Sequence, residues 1–169
     1  MKKTKFHLLY FFLLLTLSAA ALGQASNEDK VKACGTGANE VDYKASTDKA
    51  QHPTPDAPSD KALIYVLRPT MMGNKIQSKL AVDGQWKGTN RGDNYFYFTV
   101  DPGERYFCSK SENADIVKLT VEAGKTYYLQ QNVEMGLLKA RTNLVVMNDV
   151  EGKEKLKGAN LSVFEVKPN

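Results

Sequence analysis

Histidine is nearly missing from this sequence: there are two among 169 residues. His7 falls in an N-terminal leader and His52 in a proline-rich stretch. The one histidine beyond the leader lies outside the expected domain, so a His-based acid–base pair or a Ser-His-Asp triad on that domain is not expected. Cysteine is as scarce, with Cys34 and Cys108 alone. A zinc site, which takes about four Cys, His or carboxylate ligands, therefore lacks its donors. A phosphate-cradling glycine loop is also missing, because Gly35 and Gly37 of CGTG lie far from any strand-to-helix turn. No cofactor and no metal are expected. A surplus of one charge is absent too. The formal +4 comes from 23 basic against 19 acidic residues, and three of the basic ones, Lys2, Lys3 and Lys5, belong to the leader. The remainder is close to neutral and offers no electrostatic footprint for nucleic acid or anionic lipid.

Beyond the leader there is no long apolar run, so no transmembrane segment is expected once the leader is removed. The leader itself, MKKTKFHLLYFFLLLTLSAAALGQA, has a basic start, an apolar run from Phe6 to Leu17, and the small residues Ala21 and Gly23 before Gln24. That is the pattern of an export signal, assigned to residues 1–23. The run is short for a membrane span of about 20 residues. No cysteine stands at the cleavage point, which argues against a lipid anchor. The chain is expected to be exported, periplasmic or secreted. In that setting an even cysteine count favours a disulfide. Free thiols or pairing between chains are the alternatives. A Cys34–Cys108 bridge would close a loop of 74 residues, worth roughly 4 kcal/mol of chain entropy.

Residues 24–60 are polar and end in Pro53, Pro55 and Pro58. They hold too few large apolar groups to offset their ordering entropy and read as a tail or linker, held near Cys34 by the bridge. From Lys61 the character changes. ALIYVLR (Ala62–Arg68) reads as a strand buried on both faces. Asp83-Gly84 inside KLAVDGQWKG marks a hairpin. NYFYFTV, RYFCSK, IVKLTVE, TYYLQQNV and NLVVM follow at short intervals. A helix starts at Asn148, with Glu151 three residues on and a Glu151–Lys155 pair, and ends at Gly158. NLSVFEV (Asn160–Val166) closes the chain as a last strand. Residues 61–167 are thus expected to form one mostly β domain, an antiparallel β-sandwich of about seven or eight strands with one short C-terminal helix.

Period-two alternation assigns the faces. Phe96, Phe98, Phe107 and the Val117, Leu119, Val121 set point to the core. Tyr95, Tyr97, Tyr106 and Cys108 fall on the outer side, where a tail carrying Cys34 could cross. Trp86, beside the Asp83-Gly84 turn, with Arg91 and Tyr95 makes a candidate aromatic shelf for a sugar or peptide. Packing of Trp86 over a hairpin end is the plainer alternative. Asp83, Asp93, Asp101, Glu104 and Glu122 stand near turns and supply the raw material for a carboxylate-based hydrolase, although acids at turns usually serve the turn itself. Arg91-Gly92-Asp93 spells an adhesion tripeptide in a loop, short enough to arise by chance. Met71, Met72 and Met135 lack Cys or His companions and read as packing residues. Arg68-Pro69 and LLKAR (Leu137–Arg141) place positive and apolar groups at one end, suited to face a partner.

In order and spacing, ALIYVLRP, AVDGQWKG, YFYFTVDPGERYF, LTVEAGKTYYL, the Met135-Gly136 pair and DVEGKEKL resemble an exported bacterial family catalogued as domain of unknown function 2846, over about Lys61 to Phe164. The resemblance implies a bacterial host and a periplasmic, envelope-associated or secreted protein. Some members are lipid-anchored, and this chain lacks the lipobox cysteine. The resemblance carries no activity and no catalytic residues. Together these readings lead to an exported, non-enzymatic β-sandwich that binds or supports an envelope protein or cell-wall component, with Trp86, Arg91, Tyr95, Tyr97 and Tyr106 as the candidate surface.

Overall fold

The computed structural model describes residues 26–70, 74–135 and 140–168. The expected signal peptide, Met71, Met72 and residues 137–139 of the LLKAR loop lie outside the described residues. Ten strands form two sheets: β1 (Tyr43–Asp48), β2 (Ala62–Arg68), β3 (Ser78–Val82), β4 (Gln85–Asn90), β5 (Asn94–Val100), β6 (Gly103–Lys110), β7 (Ala114–Val121), β8 (Thr126–Met135), β9 (Ala140–Met147) and β10 (Asn160–Val166). Among the described residues the α-helices are α1 (Asn27–Cys34) and α2 (Asp149–Gly158), and Gly37–Asn39 form a short 3-10 turn. One sheet has the order β1-β10-β5-β2-β8-β9 and the other β4-β3-β6-β7. Most pairings are antiparallel, but β10 with β5 and β2 with β8 run parallel. The β-sandwich expectation holds, with more strands than expected and a mixed six-stranded sheet.

Apolar alternation decides what lies between the sheets. Ile64, Val66, Phe96 and Leu129 of the larger sheet meet Leu80, Val82, Phe107 and Val121 of the smaller one, with Phe98, Val117 and Leu119 at the margin. β2 is buried along its whole length. Its other face gives Leu63, Tyr65 and Leu67 to a second core with Tyr95, Tyr128 and Leu156, outside the larger sheet. A helix lies over each outer face, so the molecule is layered α1, four strands, six strands, α2. The two seams of the sandwich are closed by side chains. Asn113 and Asp115 reach from the start of β7 to the Thr142 and Leu144 N–H groups of β9, at 2.6 and 2.7 Å. On the opposite side Ser162 Oγ of β10 donates to the Thr89 carbonyl of β4 at 2.8 Å.

The segment expected as an extended tail is largely folded. Ser26 and Asp29 form a reciprocal cap at the start of α1. β1 pairs with β10 over six residues. Residues 51–58 cross from this edge to the central β2 over the outer face of the larger sheet. Composition missed this because apolar burial is not what orders the segment. A disulfide, a backbone ladder and hydrogen bonds donated by tyrosine hydroxyls do so instead. The Asp83-Gly84 turn has positive φ at both residues (47° and 78°), as a two-residue hairpin of type I′ requires. Gly84 N–H donates to the Ala33 carbonyl at 3.1 Å, and a Cβ on Gly35 would sit 2.7 Å from Gly84 O. The C-terminus of α1 thus meets the hairpin backbone directly.

Candidate functional site

Four of the five candidate surface residues divide between two opposite faces. Tyr106 and Trp86 belong to the outer side of the smaller sheet, in a cluster with Ala33, Ala81 and Cys108 beneath α1. Cys34 and Cys108 are bonded there, with a Cα–Cα distance of 5.2 Å, ordinary for a disulfide. Lys32 Nζ sits 3.9 Å above the Tyr106 ring centroid, a cation–π contact, and the Tyr106 hydroxyl donates to Glu104 at 2.9 Å. Trp86 is half-buried, with Lys79 Nζ 5.4 Å from its ring. Tyr95 and Tyr97 lie on the far side, in or against the second core. Arg91 stands between β4 and β5. A shelf of Trp86, Arg91 and Tyr95 is therefore not assembled, because Trp86 and Tyr95 are separated by the thickness of the sandwich. In the Arg91-Gly92-Asp93 loop, Gly92 and Asp93 N–H groups donate to Asn74 O and Arg68 O at 3.3 and 2.8 Å. Asn160 Nδ2 reaches Asp93 O and Oδ2 at 3.3 and 3.4 Å, so Asp93 serves an internal junction.

Tyr95 and Tyr106 are more deeply buried than their outer position suggested, at 0% and 7% exposure. The cover over Tyr95 is the chain's own proline-rich strap. Tyr95 OH donates to the Pro53 carbonyl and Tyr65 OH to the Pro55 carbonyl, each at 3.0 Å. His52 Nε2 donates to the Leu156 carbonyl of α2 at 2.9 Å, and its ring lies 5.0 Å from that of Tyr95. Tyr65 stacks on Tyr128, centroids 5.5 Å apart. Burial pushes the Tyr95 hydroxyl up to about 12 and raises that of Tyr65 further, so both stay protonated donors. α2 closes the other end of this row. A Cβ on Gly152 would come 2.2 Å from Tyr128 Cγ, and the missing side chain is what lets the helix rest on the ring. Between strap and α2 remains a recess of about 450 Å³ lined by Tyr65, Tyr128, Asp56 and Lys153 among others.

A wider concavity of about 820 Å³ opens where β3 and β6 meet the segment leading into β1. Its charged lining is Glu40, Asp42 and Glu112 against Lys75, Lys79, Lys110 and Lys167. The Glu40 carboxylate bridges Lys79 and Lys110, one oxygen to each. Lys79 Nζ also donates to the Val41 carbonyl at 3.2 Å and to Asp42 Oδ1 at 3.3 Å. Burial works to raise the pKa of Glu40, but the hydrogen bonds and charges of Lys110 and Lys79 outweigh it and hold the carboxyl below its ordinary value. None of these residues was singled out from sequence. Glu40 and the two lysines are 39 and 70 residues apart, and no local pattern joins them. Tyr65 was more accessible to reading, since it shares one face of β2 with Leu63 and Leu67, whereas Tyr128 stands between Thr126 and Gln130 on its face of β8.

The acids considered for hydrolysis are engaged elsewhere. Asp101 pairs with Lys61 at 2.6 Å, Glu104 with Lys118 at 2.8 Å, Asp83 with Arg105 at 3.1 Å and Glu122 with Lys125 at 2.9 Å. The hydrogen bonds from Lys61 and Lys118 keep Asp101 and Glu104 below the usual carboxylate range. Asp83 Oδ1 additionally accepts the Tyr106 N–H at 2.9 Å. Among the described residues no group of three or more His, Cys, Asp or Glu could hold a metal ion, and no helix is long and apolar enough to cross a membrane. An internal disulfide fits an oxidising, extracytoplasmic compartment.

No solved structure matches the chain. An uncharacterized protein of Haemophilus influenzae (strain ATCC 51907 / DSM 11121 / KW20 / Rd) is 28% identical over 102 residues, 59% of this chain. The chain spans 60% of that relative's length. The model of a family described as "Protein of unknown function (DUF2846)" matches residues 58–143. That span runs from the end of the strap through β2–β8 into β9 and leaves out α1, β1, α2 and β10. With half of its length inside that match, the chain belongs to the DUF2846 family of proteins of unknown function.

Proposed function

We propose that this chain is an exported, non-enzymatic β-sandwich module that binds or supports another component of the bacterial envelope. One observation carries the reading: charged groups that elsewhere build active sites here pair with one another around the β domain, and the aromatic row holds the chain's own strap. Asp83, Asp101, Glu104 and Glu122 form ion pairs, and the tyrosine row fastens the strap. Asp101 and Glu104, held below the usual carboxylate range by Lys61 and Lys118, lack the raised value that suits a general acid. The disulfide and the leader sequence support export. The test is affinity capture from an envelope extract with the disulfide intact. Saturable recovery of one component supports the proposal, and release of sugar from envelope glycans by the purified chain would replace it with the hydrolase.

A second reading, the sugar- or peptide-binding module, is left with the tyrosine face alone, Trp86 being on the opposite side, and draws on the strap itself. The row of tyrosines already holds an extended, proline-containing peptide through two carbonyls, a chemistry used for proline-rich ligands. Calorimetric titration of proline-rich peptides and cell-wall fragments into the chain separates the two. A saturable change favours the second reading, and a flat response retires it.

A further inference from the structure

The cleft beside β3 and β6 already contains a bound acidic peptide, and that peptide is part of the chain. Glu40-Val41-Asp42 runs extended into β1, with Glu40 at φ −70° and ψ 131°. It presents two carboxylates and one carbonyl to Lys79, while Lys110 takes the second oxygen of Glu40. The seat is well sheltered, since the Lys79 side chain is 15% exposed and that of Glu40 25%. This resident segment does not use the whole lysine set. Lys75 and Lys167 line the same concavity and form no ion pair among the described residues. The wall also carries Glu112, so the surplus is one positive charge over the three acids. An 820 Å³ recess leaves room beside the arm for several more residues of extended chain.

We infer that this cleft docks an acidic, extended peptide segment of a partner protein, which takes Lys75 and Lys167 on the rim and competes with Glu40 for Lys79 and Lys110. The inference rests on the binding reading above and names its place and its chemistry. A peptide fits better than an isolated anion because Lys79 reads a backbone carbonyl between two side-chain carboxylates, a pattern that an acidic strand reproduces. The arm is thereby a built-in competitor. Its removal frees two cations that are already part-buried and oriented, and charge-assisted hydrogen bonds gain most from such preorganisation.

The test uses the full disulfide-bonded chain and a fluorescein-labelled hexaglutamate peptide, followed by anisotropy at low ionic strength, with hexaglutamine as control. Hexaglutamate should bind and hexaglutamine should not, and added salt should weaken the complex. Glu40→Gln should tighten binding by about two- to fivefold, the range open to a partly exposed ion pair. The Lys75→Gln/Lys167→Gln double variant, altered only at exposed positions, should lose most of it. Equal affinity of that variant and the parent, no gain in Glu40→Gln, or displacement of the peptide by an equimolar amount of inorganic phosphate would each overturn the inference. If the double variant still captures the envelope component recovered by the parent, the cleft is refuted while the binding function stands. If hexaglutamate binding needs the lysines but no envelope component is captured, the cleft stands and the envelope role falls.

Discussion

Gly152 shows how a residue that weakens its own helix can strengthen the molecule. Glycine inside a helix costs about 1 kcal/mol relative to alanine. Judged locally, Gly152→Ala should therefore stabilise α2. The Tyr128 ring reverses the sign, because a Cβ would lie 2.2 Å from Cγ and the helix would have to lift. Gly152→Ala is expected to destabilise the fold by roughly 1–3 kcal/mol, the usual cost of overpacking, read as a lower urea midpoint. Glu40 makes the second residue-scale case. Its native pKa lies below the ordinary 4.5, so its contribution is fully present above that value and is lost as pH falls through the lowered native one. Asp101 and Glu104 act in the same direction. Stability measured by urea unfolding should hold from neutral pH down to about 5 and fall below about 4.5. In Glu40→Gln the fall should be shallower.

Among elements, α1 depends most on a covalent tie. It is eight residues long, too short to persist alone in water, and buries one side chain fully, Ala33. What holds it is the Cys34–Cys108 bond, with the Gly84 to Ala33 hydrogen bond and Lys32 over Tyr106 beside it. Replacing both cysteines by alanine should cost about 2–4 kcal/mol. Hydrogen exchange should then show lost protection confined to residues 27–39 before the sheets are affected. The start of α1 was readable, since Ser26 followed three residues later by Asp29 is a cap pattern, but polar composition masked it. β1 offered less. Tyr43 and Ala45 alternate inward over six residues, a run too short and polar to stand out until β10 supplies its partner. In contrast, β2, β5, β10 and the Asn148-capped α2 were all legible, because each carries its period or its cap within itself.

At the scale of the whole molecule, the sandwich is closed by side chains where sheets usually end in open edges. The N–H groups of Thr142 and Leu144 on edge strand β9 are taken by Asn113 and Asp115, so a stretch of backbone that could template aggregation is occupied. Asp115→Ala should leave the Leu144 N–H unpaired in a part-buried seam. The expected cost is about 1–3 kcal/mol, together with faster aggregation on heating by light scattering. The same closure explains why the candidate site was only partly legible. Alternation put Tyr95 and Tyr106 on outer faces correctly, but their cover comes from a strap and a helix brought in over long chain separations. Trp86 and Tyr95, nine residues apart in the sequence, end on opposite sides because β4 and β5 belong to different sheets.

Periodicity, turn chemistry and caps are properties of neighbouring residues, so the β-rich domain, its hairpins, its last helix and the inward phenylalanines follow from the sequence by itself. The mixed order of the larger sheet, the ordering of residues 26–60 and the meeting of Glu40 with Lys79 and Lys110 were decided only by the tertiary structure. Each depends on groups far apart in the chain, whose attraction has no local signature and takes effect only once the sheets have stacked.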